Sequence, residues 1–335
     1  MNTEILPAHT PELFRKAVLR AVELLRNGEA VALPTETVYG LAANALNEKA
    51  VKKIFQIKGR PSHNPLIVHV AGLEMAKRCV SSFPPLAEQL AQAFWPGPLT
   101  LVLPRSDLIP LAVTAGGGTV GIRWPSHPLI QAVIRECDFP LAAPSANLSD
   151  QVSPTNAAHV HKQLNGKIPI IVDGGQSAVG IESSVLDLTV SPPQILRPGM
   201  IHTESLVAAG FPVANFRMST EAGTLKSPGQ LKKHYAPKAK LLVLNWQDDA
   251  DLKLKIQNLK LKIQGCHVIA YAHIPSPEPF ARVGVIPHDA EAFARAIYAE
   301  LHSCDEAGAQ TIIVEAPPEA PEWSGIADRL RRAAA

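Results

Sequence analysis

Two short segments carry the side chains best suited to chemistry: Lys58-Gly59-Arg60-Pro61 and Pro144-Ser145-Ala146-Asn147-Leu148-Ser149. Each sets charged or hydrogen-bonding groups beside Pro or Gly, in backbone that cannot continue a helix. A fixed Lys/Arg pair offers two cations to anionic oxygens. The Ser and Asn two residues apart offer a hydroxyl and an amide to a second part of the same ligand. Arg123 closes the apolar run Val120–Arg123, and a charge leaving an apolar strand needs a partner. Arg197-Pro198-Gly199 puts a further cation on a turn. The pattern points to an anion-handling pocket.

Taken singly, each feature also has a plain structural reading. Lys58 and Arg60 could decorate a solvated turn, and Ser145 and Asn147 could close one through side-chain-to-backbone bonds. His69, inside the apolar run Leu66–Val70, could be a satisfied core histidine. Independent solvated turns do not explain why all these polar segments sit at strand ends of one domain.

The elements that must position them follow from periodicity. Thr10 is an N-cap with Pro11 at the first helical position, and Gly28 closes the helix. Between them Leu13, Phe14, Ala17, Val18, Ala21, Leu24 and Leu25 recur at three- and four-residue spacing, which marks one buried face. The apolar strand Ala30–Leu33 leads into the polar segment Pro34-Thr35-Glu36-Thr37-Val38-Tyr39-Gly40. Further strands are expected at Leu66–Val70, Leu99–Leu103, Val120–Arg123, Leu141–Ala143, Ile168–Val172 and Ser184–Leu188. The mixture reads as an α/β domain over residues 1–202.

From 203 to 240 the apolar periodicity weakens, and Ser227-Pro228-Gly229 leads into Lys232-Lys233-His234-Tyr235-Ala236-Pro237. This reads as a linker whose length, with its basic and aromatic residues, favours function. A second α/β unit, 241–335, follows with strands at Leu241–Leu244, His267–Ala272 and Thr311–Val314, a helix around Ala290–Leu301 and a short basic helix at the end. The heptad Leu-Lys-Leu-Lys-Ile-Gln-Asn is nearly repeated from Leu259, which puts Leu252, Ile256, Leu259 and Ile263 on one helical face and predicts a helix through both copies. The pattern is Rossmann-like but has no Gly-rich phosphate loop.

Composition excludes several classes. A chain of 335 residues exceeds one core and predicts two domains. A net charge of +2 is too small to argue for nucleic acid by electrostatics alone. Cys79, Cys137, Cys266 and Cys304 form no CxxC pair, which predicts reduced, buried thiols and no zinc. No GxxxxGK[ST] occurs, and the literal GxGxxG at Gly116, Gly118 and Gly121 runs into Ile122-Arg123-Trp124-Pro125, which cannot open the helix a dinucleotide fingerprint requires. No stretch reaches the about 18 apolar residues of a membrane span. A cytoplasmic protein without membrane partners, flavin or NAD is expected.

The segments Pro34–Leu41, Lys58-Gly59-Arg60-Pro61 with Asn64–His69, Trp95-Pro96-Gly97-Pro98-Leu99-Thr100, Arg123 with His127-Pro128, Pro144-Ser145-Ala146-Asn147 and Leu196-Arg197-Pro198-Gly199 occur together in the order found in the YrdC/YwlC family. The chain resembles the two-domain members of that family over nearly its whole length. Gln230-Leu231-Lys232 departs from the Met-Lys-aromatic run that members often carry. The resemblance implies a twisted α/β sheet domain with a concave basic cavity, plus a smaller Rossmann-like C-terminal domain. It implies formation of threonylcarbamoyl-AMP and pyrophosphate from L-threonine, bicarbonate (or carbon dioxide) and ATP, for N6-threonylcarbamoyladenosine in tRNA.

By the same resemblance Lys58 and Arg60 are catalytic. ATP is expected to meet Arg60, Asn64, Thr119, Ser145, Asn147, Ser153 and Arg197, with His234 and Tyr235 folding over from the linker. Threonine is expected to meet Thr37, His69, Arg123, Ser183 and the backbone at Ala143. Magnesium is implied with the triphosphate, with no protein ligand assigned. tRNA and downstream threonylcarbamoyl-transfer proteins are implied partners. The rival reading is a structured-RNA-binding module without synthase activity, although no RRM or KH fingerprint is present. A carbamoyl-transfer enzyme of the hydrogenase-maturation type would need Cys-rich zinc motifs that this chain lacks.

Overall fold

The computed structural model describes residues 2–214, 225–229 and 234–335. The chain forms two compact units, Met1–Ser149 with Ser153–Gln230, and Asp150–Val152 with Leu231–Ala335. Gln230-Leu231-Lys232 and Lys233 lie outside the described residues.

In the first unit β1 (Glu4–Pro7) precedes α1 (Pro11–Arg26), whose first turn is capped by Thr10 Oγ1 accepting from Leu13 N at 3.2 Å. Ala17, Val18, Ala21, Leu24 and Leu25 form its buried face, as the spacing requires, and Gly28 follows at φ 74°. There follow β2 (Val31–Leu33), β3 (Gly40–Asn44), α2 (Glu48–Lys58), β4 (Ile67–His69), α3 (Leu73–Arg78), α4 (Pro85–Phe94), β5 (Leu99–Pro104), β6 (Thr119–Arg123), α5 (Pro128–Cys137), β7 (Leu141–Ala142), α6 (Ala157–Leu164), β8 (Ile170–Asp173), β9 (Ser184–Asp187), β10 (Gln194–Arg197) and α7 (Thr203–Ala208).

The strands join one mixed sheet in the order β1-β8-β2-β3-β7-β4-β6-β5-β9-β10. The parallel pair β4 and β6 sets His69 opposite Arg123. Inner strands such as β2, β4 and β5 are apolar and buried along almost their whole length, as a sheet covered on both faces requires. The segment after residue 202 is more ordered than its weak periodicity suggests. It contains α7, Leu206 is buried, and Phe211 lies 6.1 Å from Phe94 by ring centroids.

The second unit holds β11 (Lys240–Leu244), α8 (Asp249–Asn258), β12 (Cys266–Ala270), β13 (Arg282–Val285), α9 (Ala290–Glu306), β14 (Thr311–Glu315) and α10 (Ser324–Ala333). Its four strands are all parallel, in the order β11-β14-β12-β13. The helix expected through both heptads stops after the first. Lys260 takes a left-handed φ of 54°, with Lys260 N bonding Gln257 O and Leu261 N bonding Ile256 O. This is a Schellman closure, sealed by Leu261 packing into the same apolar cluster as Ile256. Local helical periodicity loses there to a stop set by packing. β13 is a half-exposed strand that the sequence pattern does not announce.

All four cysteines are buried and free. Burial pushes the Cys79 and Cys137 thiols up to about 12 and Cys304 to about 11, so they stay protonated. Among the described residues no helix is long and apolar enough to cross a membrane.

Candidate active site

The two segments with the strongest chemical signal meet in space. α2 ends at Lys58 because Gly59 adopts the left-handed conformation at φ 61°, turning the chain so that Lys58 and Arg60 leave on either side of it. Lys58 Nζ donates to Ser145 O and Asn147 O, both at 2.5 Å, and to Asn147 Oδ1 at 3.3 Å. Ser149 N returns a bond to Lys58 O. Arg60 donates through Nε to Asn64 O at 3.0 Å, and through one Nη to Asn64 Oδ1 at 2.7 Å and Pro65 O at 2.8 Å. Both cations are buried. Lys58 therefore sets its charge at the Ser145–Asn147 loop while its donors brace that loop.

A second group gathers around Arg123. Its Nε donates to Gly97 O at 3.3 Å, and one Nη lies 2.8 Å from Glu36 Oε1, both side chains being buried. His69, beside it in register, is buried, and burial followed by the Arg123 charge lowers its pKa to about 3, so the ring is neutral. Burial also lowers the pKa of His127, with the Glu36 charge opposing the shift. Glu36 sits in the loop between β2 and β3. That loop is held by Thr35 Oγ1, which bonds Thr37 Oγ1 at 2.9 Å and Val38 O at 2.6 Å. Val179 N and Gly180 N tie it to a second loop through Glu36 O and Thr37 O.

Ser183 joins this group through the sheet. Its Oγ bonds Thr100 Oγ1 at 2.8 Å, and Thr100 lies one residue beyond the Leu101–Ile122 pair, level with Arg123. Arg197 ends β10, so it is a strand residue as well as the start of a turn. It donates to Ser183 O at 3.0 Å, Ser183 Oγ at 3.1 Å and Pro228 O at 3.3 Å. Next to Ser183, Glu182 Oε1 accepts from Ser153 Oγ at 2.5 Å. Two glycines make these approaches possible. A Cβ on Gly97 would lie 2.4 Å from Phe94 O, and one on Gly199 would lie 2.6 Å from Ser184 N.

Ala143 donates its N–H to Ile67 O, near the start of β4, and Ser145 bridges to Gly40. Thr119 begins β6, four residues from Arg123 at the other end, or about 13 Å along a strand. It is not joined to the Arg123 group. Gly116 at φ 83° and Gly117 close a turn onto Leu111 O and Thr114 O, and the residues after them form β6 rather than a helix.

His234 and Tyr235 belong to the second unit. Tyr235 has a left-handed φ of 62°, an uncommon state for a bulky residue that packing must hold. Its ring lies 4.0 Å from His234 edge-on and 6.2 Å from Tyr298, with the Arg329 guanidinium 5.2 Å above it. His234 N donates to Arg332 O, and Ala236 N to Asp150 O. Arg329 and Arg332 both pair with the buried Asp328, so α10 carries a charged cluster that fixes the His-Tyr segment.

Sequence reasoning named Arg123 but passed over its partner Glu36, along with Glu182 and Thr100. Glu36 carries the signal that flagged Arg123, a charge where the chain leaves an apolar strand. Thr100 carries none, because a threonine inside a strand is ordinary. Among the described residues no three His, Cys, Asp or Glu gather to hold a metal.

A family model described as telomere recombination, for Sua5, YciO and YrdC, matches residues 23–199. The chain belongs to the Sua5–YciO–YrdC family. A second model, described as the threonylcarbamoyl-AMP synthase C-terminal domain, matches residues 201–335, so the chain has the two-part form of that family. A threonylcarbamoyl-AMP synthase from Pyrococcus abyssi is 41% identical over 319 residues, covering 93% of this chain and 92% of that protein. One from Bacillus subtilis is 40% identical over 338 residues, covering 95% and 92%. The crystal structure of P. abyssi Sua5 complexed with L-threonine matches with a TM-score of 0.89 at 38% identity, covering 100% of this chain and 98% of that one.

Proposed function

We propose that this chain forms threonylcarbamoyl-AMP and pyrophosphate from L-threonine, bicarbonate or carbon dioxide, and ATP. The observation that carries the reading is full-length agreement with threonylcarbamoyl-AMP synthases in both parts of the chain. A bare RNA-binding module is not favoured by that agreement.

The chemistry suits the residues. Threonine nitrogen, once its ammonium has given up one proton, attacks carbon dioxide, forming an N–C bond and releasing a second proton to give a carbamate. A carbamate oxygen then attacks the α-phosphorus of ATP, and the bond to pyrophosphate breaks. Both reactants are anionic, so the protein's work is to hold like charges together and neutralise charge developing on phosphate. No protein nucleophile is required.

We assign threonine to the Arg123 group, its carboxylate to the guanidinium, with Thr37, His69, Ser183 and the Ala143 backbone around it. A neutral His69 there offers a hydrogen bond without adding charge. We assign the nucleotide to Arg60, Asn64, Thr119, Ser145, Asn147, Ser153 and Arg197, and add His234 and Tyr235 as nucleotide contacts. Lys58 and Arg60 supply the positive field for the α-phosphate of the transferred adenylyl group. Magnesium accompanies the triphosphate and no step above is routed through it. The product is a reactive adenylate, which we assign to tRNA modification through a threonylcarbamoyl-transfer protein, in the cytoplasm.

The test is pyrophosphate release from ATP, omitting threonine and bicarbonate in turn. Release that needs both, with threonylcarbamoyl-AMP detected, is expected. Folded protein giving no threonine-dependent release overturns the reading, and salt-steep binding of RNA by that protein would move the RNA module to the front.

A further inference from the structure

Buried polar atoms are normally hydrogen-bonded, and a buried carboxylate needs partners more than most groups. Glu36 breaks that rule. The residue is only 6% exposed, yet neither carboxylate oxygen has a hydrogen-bond partner. Arg123 reaches ion-pair distance at 2.8 Å, but the same Nη is also without a hydrogen bond. His69 Nδ1, on the residue paired in register with Arg123, has none either. Three buried polar side chains with unmet bonding capacity thus share one place. A structural ion pair of this depth should be fully hydrogen-bonded, since its stability depends on geometry that offsets the loss of water. This one is half-finished, as a ligand site is before its ligand arrives.

The signs of the charges identify what would complete it. A lone anion beside Arg123 would meet the Glu36 carboxylate, and a lone cation beside Glu36 would meet the guanidinium. A zwitterion meets neither penalty. Its carboxylate faces Arg123 and its ammonium faces Glu36, and no net charge enters a buried site. We propose that Glu36 is the counter-ion of the substrate's α-ammonium group, so that the Glu36–Arg123 pair selects an α-amino acid over other small carboxylates. The proposal rests on the reading that the Arg123 group holds threonine. It gives Glu36 a substrate-binding role of its own, beyond holding Arg123 in place. His127, which also feels the Glu36 charge, has its pKa lowered by burial, and this disfavours the charged form that would compete for the carboxylate.

Two binding measurements on the full chain test this. The first uses the wild-type protein and titrates L-threonine against 2,3-dihydroxybutanoate of matching configuration, in which a hydroxyl replaces the amine. Removing one member of a buried charge pair should weaken binding roughly thirtyfold or more. Equal affinity for the two compounds overturns the proposal. The second titrates Glu36→Gln and Glu36→Asp with both compounds. Glu36→Gln should lose threonine affinity while its hydroxy-acid affinity stays level or rises, and Glu36→Asp should recover part of the preference. A Glu36→Gln protein that keeps the full wild-type preference overturns it, as does one that loses affinity for both compounds equally, which would mark a structural role. Should Glu36→Gln fail to fold, the wild-type comparison still decides. Absence of threonine binding in the wild type would refute the assignment of threonine to this site, and is told apart from these outcomes by that single titration.

Discussion

The Lys58 arm and the Glu36–Arg123 corner are both buried and charged, yet they are finished to different degrees. Lys58 reaches two carbonyls and an amide oxygen, and Arg60 reaches three acceptors on Asn64 and Pro65. These cations hold loops in shape, and their charge is fixed in place by the bonds they make. In the other corner Glu36, Arg123 and His69 have atoms with no hydrogen bond. In the first region the cations themselves are fixed by their bonds and project a field, with Asn64 Nδ2 and Ser149 Oγ left unbonded beside them. In the second the charged groups keep bonding capacity for a ligand. Substitutions should therefore damage folding and chemistry together in the first and separate them in the second.

Lys58→Ala tests this contrast hardest. Removing the ammonium leaves the Ser145 and Asn147 carbonyls buried without their donor, at about 1–3 kcal/mol each. A fall in urea midpoint alongside loss of pyrophosphate release is expected, and an unchanged midpoint would mean that the arm is not scaffolding. Arg123→Met leaves Glu36 buried without a counter-charge, so it should be less stable than the double variant Glu36→Gln/Arg123→Met by about 1–3 kcal/mol. Denaturant melts of the four proteins in the cycle measure that coupling, and additive effects would show that the pair is not the source of neutralisation.

Gly199→Ala should cost about 1–3 kcal/mol, because the new methyl meets the Ser184 backbone and must displace the turn that follows Arg197. The Michaelis constant for ATP should rise with it, measured by initial rates. The smallest effect near neutrality concerns His69. Its folded pKa of about 3 lies below the ordinary 6.5, so only the unfolded chain takes up the proton between those values. Its contribution is fully present above pH 6.5 and is lost as pH falls toward 3, by up to about 1.4 kcal/mol per pH unit. Replacing His69 with Gln should flatten the acid limb of the stability curve.

Much of this was legible in the chain. α1 was, because cap, proline, apolar spacing and closing glycine all agree, and so were the strand ends that carry His69 and Arg123. The helix through both Leu-Lys-Leu-Lys copies was not, since periodicity cannot report a Schellman stop fixed by Ile256 and Leu261. Within the site, the residue types of Lys58 and Asn147 were readable but their contact was not, because a pairing 89 residues apart leaves no local mark. Glu36 was in plain view within a polar segment. Its importance lies in what it fails to bond, and that is visible only once its surroundings are known.

The strand order has a consequence for how the protein comes into being. β1 pairs with β8, and β10 closes the opposite edge of the sheet. Arg197 is the last residue of that final strand, and Ser183, its partner, immediately precedes β9. A chain emerging from the ribosome exposes Lys58 and Arg60 early, but the Ser183–Arg197 wall arrives only late in the first unit. A chain released before β10 would therefore lack the Arg197 guanidinium and the bonds that fix Ser183, and with them part of each proposed substrate contact.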